Sequence, residues 1–147
     1  MKVHIEQGTP DKASHIASLI MEAMNTDCCQ NFAGPHHTLV DFHQMMERLV
    51  KMEDSQYSYL NTLVASNSEG IITGILVAYD GARLKELRRQ FIKEAIVSFG
   101  IDYSAMDAET EAGEFYLDSL AVSSSFRGKG IAKQLLAAAI EKARELG

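Results

Sequence analysis

Arg127-Gly128-Lys129-Gly130 stands between an apolar run, Leu120-Ala121-Val122, and a long amphipathic stretch that begins at Ile131. The order is apolar strand, polar turn (Ser123-Ser124-Ser125), glycines, then helix. Such an arrangement holds an anion for a physical reason. The first N–H groups of a helix have no intrahelical acceptor, and the helix dipole is positive at that end. Glycine lets the backbone approach a phosphate with no Cβ in the way. Arg127 and Lys129 add positive charge in a chain whose net charge is −6. The spacing is not that of a P-loop, since no Gly-Lys-Ser/Thr follows four residues after a glycine, and it is not G-x-G-x-x-G. It does fit Arg/Gln-x-x-Gly-x-Gly/Ala, with Arg127, Gly130 and Ala132 in the defining places.

The strand that feeds this turn carries the other chemistry. Residues 114–122 read as a strand, and a period of two sorts them. Glu114, Tyr116, Asp118, Leu120 and Val122 are expected on one face, and Phe115, Leu117, Ser119 and Ala121 on the other. Polar side chains at the start of an otherwise apolar strand need a reason, either chemistry or a local hydrogen bond. His36-His37 sits in a loop, and adjacent histidines alone make no metal site; a solvated or locally bonded pair is the expectation. Cys28 and Cys29 are the two cysteines. Neighbours in sequence rarely bridge each other, and no second pair exists to complete a zinc site, so they read as ordinary thiols of a reducing cytosol. No metal is expected.

Elements must position these groups. A chain of 147 residues with 46% hydrophobic residues can bury one core without staples, so a single domain over 1–147 is expected. The start of the chain lacks the apolar region of a signal peptide, and no apolar run approaches the ~20 residues of a membrane helix. The protein is expected to be soluble and cytoplasmic, with no membrane partner. Its pI near 5.3 argues against nucleic acid, which needs clustered Lys and Arg, and suits a cationic amine better.

Alternation over residues 2–7 predicts a first strand. Thr9-Pro10-Asp11 reads as a helix start with Thr9 as N-cap, followed by an apolar face of Ala13, Ile16, Ala17, Ile20 and Met24. Residues 25–37 read as a polar connection. A second helix spans about 39–53, and its Met45, Met46 and Met52 read as core filler. Residues 59–66 and 71–79 predict an antiparallel hairpin turning at Asn67-Ser68-Glu69-Gly70. Residues 83–99 form a third helix with Leu84, Leu87, Phe91, Ala95 and Ile96 inward and Lys85, Arg88, Arg89 and Lys93 largely outward. Residues 107–114 read as an acidic loop, and 130–146 as a helix carrying Ile131, Leu135, Leu136, Ala139, Ile140, Ala143 and Leu146 on its apolar side. The result is an α+β fold, a mixed and mostly antiparallel twisted sheet with helices on both faces.

From Glu114-Phe115-Tyr116-Leu117-Asp118-Ser119-Leu120-Ala121-Val122 through Arg127 to Leu146 the sequence resembles the GNAT superfamily of N-acetyltransferases. Earlier elements agree in order and type, apart from the helix at 83–99. The resemblance implies acetyl-CoA as co-substrate, its pyrophosphate held by the backbone of Arg127, Gly128, Lys129, Gly130, Ile131 and Ala132. It implies that the strand ending Leu120-Ala121-Val122 pairs with the pantetheine arm through the backbone of Leu120 and Val122. A small-molecule or peptide amine would be the acceptor, with Phe32, His36 and His37 near its cleft. A lysine-like amine has a solution pKa of about 10.4, so its proton must be taken before it attacks. Asp118 is the first candidate for that base or for an anchor of the ammonium, with Tyr116 and Glu114 next. A backbone N–H of the Leu120 strand would donate to the acetyl oxygen as charge develops.

The family normally continues past this helix with another strand, a helix and further strands, and often with a tyrosine that protonates the leaving thiolate. The chain is therefore expected to be C-terminally incomplete, or to have its exposed sheet edge covered by a second copy in a homodimer. Three functions remain open at this stage: an amine N-acetyltransferase, a non-catalytic acyl-CoA-binding or regulatory module of the same fold, and an interaction domain whose glycine turn binds nothing.

Overall fold

The computed structural model describes residues 2–105 and 115–146. Among them four strands form one sheet in the order β1-β2-β3-β4, each neighbouring pair antiparallel. The strands are β1 (His4–Gln7), β2 (Thr62–Ser66), β3 (Ile72–Asp80) and β4 (Phe115–Val122). Helices α1 (Ala13–Met24), α2 (Thr26–Ala33), α3 (Leu39–Lys51) and α4 (Leu84–Phe99) gather on one face, and α5 (Ile131–Leu146) covers the other. The α+β architecture with helices on both faces is as expected. No helix among the described residues is long and apolar enough to cross a membrane.

β3 explains why two layers of helix are needed. It is apolar at almost every position and buried from Ile72 to Tyr79, the pattern of a strand covered on both faces. Ile75, Val77 and Tyr79 enter the larger core with α1, α3 and α4, while Leu76 and Ala78 meet Ile131, Leu135 and Ala139 of α5. Met45 and Met46 are fully buried, so the methionine run is core. The β2–β3 turn closes as its chemistry demands. Asn67 Oδ1 accepts from the N–H groups of Glu69 and Ile71, both at 3.0 Å, and Gly70 adopts φ +79°.

Helix starts show where local signals held. Thr38 and Asp41 form a reciprocal capping box on α3. Thr9 behaves differently from the expectation: it precedes a 3-10 turn, Pro10–Lys12, and its side chain caps no backbone N–H. The connection expected at 25–37 contains α2. Asn25, at φ 73°, is its N-cap and accepts from Cys28 N–H at 2.9 Å. Only Cys29 and Ala33 of α2 are buried, so too little apolar periodicity marks it. α4 turns by about one residue from its expected face. Arg88 and Phe99 are buried with Leu84, Leu87, Phe91 and Ala95, whereas Ile96 is exposed. Ile140 of α5 is likewise exposed. The acidic stretch at 107–114 lies outside the described residues.

Gly74 lies opposite Val122, and a Cβ there would stand 2.9 Å from the Ala121 carbonyl oxygen and 3.3 Å from Leu135 Cδ1. The backbone oxygen cannot yield without parting β3 from β4. Gly74→Ala is expected to destabilise the protein by about 1–3 kcal/mol, in the range of overpacked cores. Thermal unfolding of the variant measures this, and an unchanged melting temperature would contradict the close approach.

Candidate active site

The turn after β4 is tied at both ends. Ser123 N–H donates to Thr73 O at 2.8 Å, continuing the β3–β4 ladder, and Phe126 N–H donates to Ser123 O at 2.8 Å. Gly128 and Gly130 then adopt φ +79° and +78°, a region that disfavours any side chain, with open space where a Cβ would stand. These two positive angles turn the chain into α5, which is held to the sheet by the fully buried Ile131 and Leu135. A cavity of about 340 Å3 opens here, lined by Val122, Phe126, Arg127, Gly128, Gly130, Ile131, Ala132 and Lys133. Six of these, Val122, Arg127, Gly128, Gly130, Ile131 and Ala132, are among the residues expected from sequence. Lys129 precedes the helix and is exposed, while Leu120 and Ala121 belong to the adjoining strand. Lys133 and Phe126 were missed. Lys133 occupies the first turn of α5, which was a usable signal, whereas Phe126 reaches the cavity through a 3-10 turn (Ser124–Phe126) that no periodicity reveals.

The bond from Ser123 to Thr73 also sets the phase of the ladder. Gly74 and Val122 are then a non-hydrogen-bonded pair, Ile75 and Ala121 a hydrogen-bonded one, and Leu76 and Leu120 non-hydrogen-bonded again. The N–H and C=O groups of Leu120 and Val122 therefore point away from β3, to the outer edge of β4. Arg127 Nε donates to the Val122 carbonyl from that side at 3.2 Å.

Farther back along β4 the register shifts. Val77 faces Ser119 and Ala78 faces Leu117, leaving Asp118 as the extra residue of a β-bulge. The bulge corrects the expected faces. Leu117, Leu120 and Val122 lie opposite Ala78, Leu76 and Gly74 on the α5 side, whereas Ser119 and Ala121 lie opposite Val77 and Ile75 on the side of α1–α4. Asp118 joins the second group, not Leu120 and Val122. Its Oδ2 accepts from the Tyr79 hydroxyl at 2.7 Å and from Gln56 Nε2 at 3.1 Å, and Ser119 Oγ lies 3.4 Å from its Oδ1. Tyr79 and Gln56 are buried, so the carboxylate is held by two donors that sequence reasoning missed. Gln56 lies in the connection before β2 and Tyr79 reads as core, so neither announces a contact with residue 118. The backbone of Tyr116 stands opposite Tyr79, and Glu114 lies outside the described residues.

Among the other candidates, His37 Nδ1 lies 3.3 Å from Asp41 Oδ2, and its ring packs against Phe99. The Thr38 N–H, and after it His37, hold the Asp41 carboxyl below its ordinary range. His37 thus supports the α3 cap, while His36 is exposed. Phe32 lines a separate cavity of about 510 Å3 with Asn25, Asp27, Cys28, Asn31 and Tyr103. Its ring meets Phe91 and Tyr103 edge-on, and Tyr103 donates to its carbonyl oxygen at 2.7 Å. Among the described residues no group of three or more His, Cys, Asp or Glu side chains is placed to hold a metal ion.

The cysteines separate chemically. Burial pushes the Cys29 thiol up to about 11, and Cys29 is fully buried, while Cys28 reaches the cavity beside Phe32. Thiolate is the reactive form, so brief alkylation of the folded protein at neutral pH is expected to label Cys28 and spare Cys29. Peptide mass spectrometry reads the outcome, and equal labelling would contradict the burial of Cys29.

Residues 42–147 match the model of the acetyltransferase (GNAT) family. The chain belongs to the GNAT acetyltransferase family. A search of curated proteins finds no match to this acetyltransferase. Solved structures share its fold. One, described as the crystal structure of an acetyltransferase, is 24% identical with a TM-score of 0.79, over 98% of this chain and 76% of that one. An N-acetyltransferase from Staphylococcus aureus Mu50 is 20% identical with a TM-score of 0.76, over 95% and 75%. A GNAT family acetyltransferase from Brucella melitensis, in complex with acetyl-CoA, is 15% identical with a TM-score of 0.52, over 99% and 71%. This acetyltransferase therefore spans about three quarters of the length of those chains.

Proposed function

We propose that this protein transfers an acetyl group from acetyl-CoA to a primary amine of a small molecule or peptide. One observation carries the reading: a helix N-terminus approached through two positive-φ glycines, lined by Arg127 and Lys133, and continuous with the outward backbone of Leu120 and Val122. The cradle suits a pyrophosphate, since glycine leaves open space where a Cβ would stand and the first N–H groups of a helix have no intrahelical acceptor. The backbone of residues 127–132 would hold the phosphates. The edge groups of Leu120 and Val122 would pair with the amides of the pantetheine arm. Arg127 must turn away from the Val122 carbonyl for that pairing to form, which places its charge near the phosphates.

When bound, acetyl-CoA supplies an activated thioester. Asp118 accepts the proton of the acceptor ammonium at a carboxylate oxygen, directly or through a water. The freed amine forms the C–N bond as the thioester C–S bond breaks, and CoA leaves as a thiolate that takes its proton from solvent. The outward N–H of Leu120 orients the acetyl carbonyl and stabilises negative charge on its oxygen. Holding both groups together supplies much of the remaining acceleration. Residues 1–147 act in this reading as an N-acetyltransferase domain of the cytoplasm, with Tyr116 and Glu114 as further groups toward the acceptor.

The tethering of Asp118 by Tyr79 and Gln56 favours a second reading, an acyl-CoA-binding module of the same fold in which Asp118 only braces β4. Calorimetry with acetyl-CoA and thiol release with a panel of amines test both. Binding with thiol release supports the transferase, and binding without release for any amine supports the module. No binding at millimolar acetyl-CoA removes both.

A further inference from the structure

A second cavity, of about 400 Å3, lies at the far end of β3, between the turn before β2, the turn after β3 and the last turns of α5. Its lining includes Leu60, Ala78, Asp80, Arg83 and Lys142. It is remote from the phosphate-type cradle, which adjoins Thr73 through the Ser123 bond. Seven residues of strand separate Thr73 from Asp80, which is about 23 Å at the rise of an antiparallel strand.

Its charges are unusual for this chain. Lys142 is half-buried, and burial holds its ammonium below the ordinary lysine range. Among the described residues its Nζ reaches a single partner, the Leu60 carbonyl oxygen, at 3.5 Å. An ammonium has three protons to donate, and among the described residues no carboxylate lies within ion-pair distance of it. Glu141, one position earlier on α5, is engaged by Arg144 at 3.0 Å. Arg83 enters the cavity from the Gly81–Arg83 turn, and among the described residues its ion-pair partner is Glu86 at 3.8 Å. Asp80 lines the cavity too, but its Oδ1 accepts from Ala82 N–H at 2.9 Å and caps that turn. Two cations on separate elements thus share one concavity with one carboxylate, Lys142 partly desolvated and Arg83 exposed at the rim, in a protein of net charge −6. A partly desolvated ammonium is stabilised when an anion joins it, and the exposed guanidinium can swing to the same anion.

We infer that this cavity is a second anion site, which takes a small organic molecule through a carboxylate or phosphate head placed between Lys142 and Arg83. The volume exceeds the roughly 30 Å3 share of a water many times over, which leaves room for an organic body beside the head, against Leu60 and Ala78. The cavity floor is β3 at Ala78 to Asp80. Tyr79, whose hydroxyl holds Asp118, is among the lining residues, so an occupant sits against the strand that positions the candidate base.

The test uses the full chain labelled with 13Cε-lysine, with the Lys142 resonance assigned by its loss in Lys142→Arg. Its titration midpoint is followed with inorganic phosphate, with succinate and with sodium chloride at matched ionic strength. Phosphate or succinate at tens of millimolar is expected to raise the midpoint by about half a pH unit or more, as a nearby anion does for an ammonium, while chloride leaves it in place. Arg83→Gln is expected to abolish the rise, and Lys129→Gln to retain it, because the cradle beside Gly130 is a separate site. A response to phosphate alone assigns a phosphate head, and a response to succinate alone a carboxylate head. A midpoint indifferent to both anions, equally responsive to chloride, or still responsive in Arg83→Gln overturns the site and leaves Lys142 a lysine that merely covers apolar surface. The readout needs no acetyl transfer, so its failure is distinguishable from failure of the proposed activity.

Discussion

Asp118→Asn is expected to lower turnover by about 10²- to 10⁴-fold, the usual contribution of a positioned general base, while acetyl-CoA binding stays unchanged. The substitution is informative because the site tolerates it. Oδ2 of Asp118 takes both the Tyr79 hydroxyl and Gln56 Nε2, and an asparagine oxygen can accept from both in the same place. The amide nitrogen then faces Ser119 Oγ, which can accept as well as donate. These two buried donors are thereby kept, while the capacity to take a proton is removed. Asp118→Ala makes the useful contrast. It strands two buried donors, which costs about 1–3 kcal/mol of stability each, and so mixes chemistry with folding. Thiol release, calorimetry with acetyl-CoA and thermal unfolding of Asp118→Asn separate these effects. Turnover at the parental level would take Asp118 out of the mechanism and leave it a brace between β4 and the connection before β2.

The second large effect is expected at Gly130. Its φ of +78° costs a residue with a side chain about 1–2 kcal/mol, and a β-branched one relaxes most readily by leaving that region. Relaxation would swing the N–H groups that open α5 away from the bound anion, and a hydrogen bond to a charged group is worth about 1.5–3 kcal/mol. The variant either bears the strain when the coenzyme binds or gives up the hydrogen bonds, and the smaller of the two penalties weakens acetyl-CoA by about tenfold or more in Gly130→Val, since 1.4 kcal/mol is about tenfold. The helix itself should survive, because Ile131 and Leu135 remain anchored against β3. Arg127→Gln is expected to cost less than tenfold, because an exposed guanidinium adds screened charge to a cradle made of main chain. Calorimetry ranks the two variants, and an affinity for Gly130→Val equal to the parental one would mean that the backbone at 128–132 does not hold the phosphates.

Much of this protein was legible from its sequence by itself, and for local reasons. A strand, a serine turn, two glycines and an amphipathic helix are set by side-chain period and by which residues accept positive φ, so the turn from β4 into α5 could be located closely. The β2–β3 hairpin was equally plain, because Asn67 and Gly70 carry their turn within four positions. Elements whose identity comes from distant partners were not legible. α2 has two buried residues and shows little period of its own. α4 turns far enough to bury Arg88 and expose Ile96, a rotation decided by what it packs against. The largest correction came from a single bulged residue. A period of two assumes an unbroken strand, and the register shift at Asp118 carries that side chain to the opposite face from Leu120 and into contact with Gln56 and Tyr79. Pairing between β3 and β4 decides that shift, and residues so far apart in the chain leave no local pattern by which to read it.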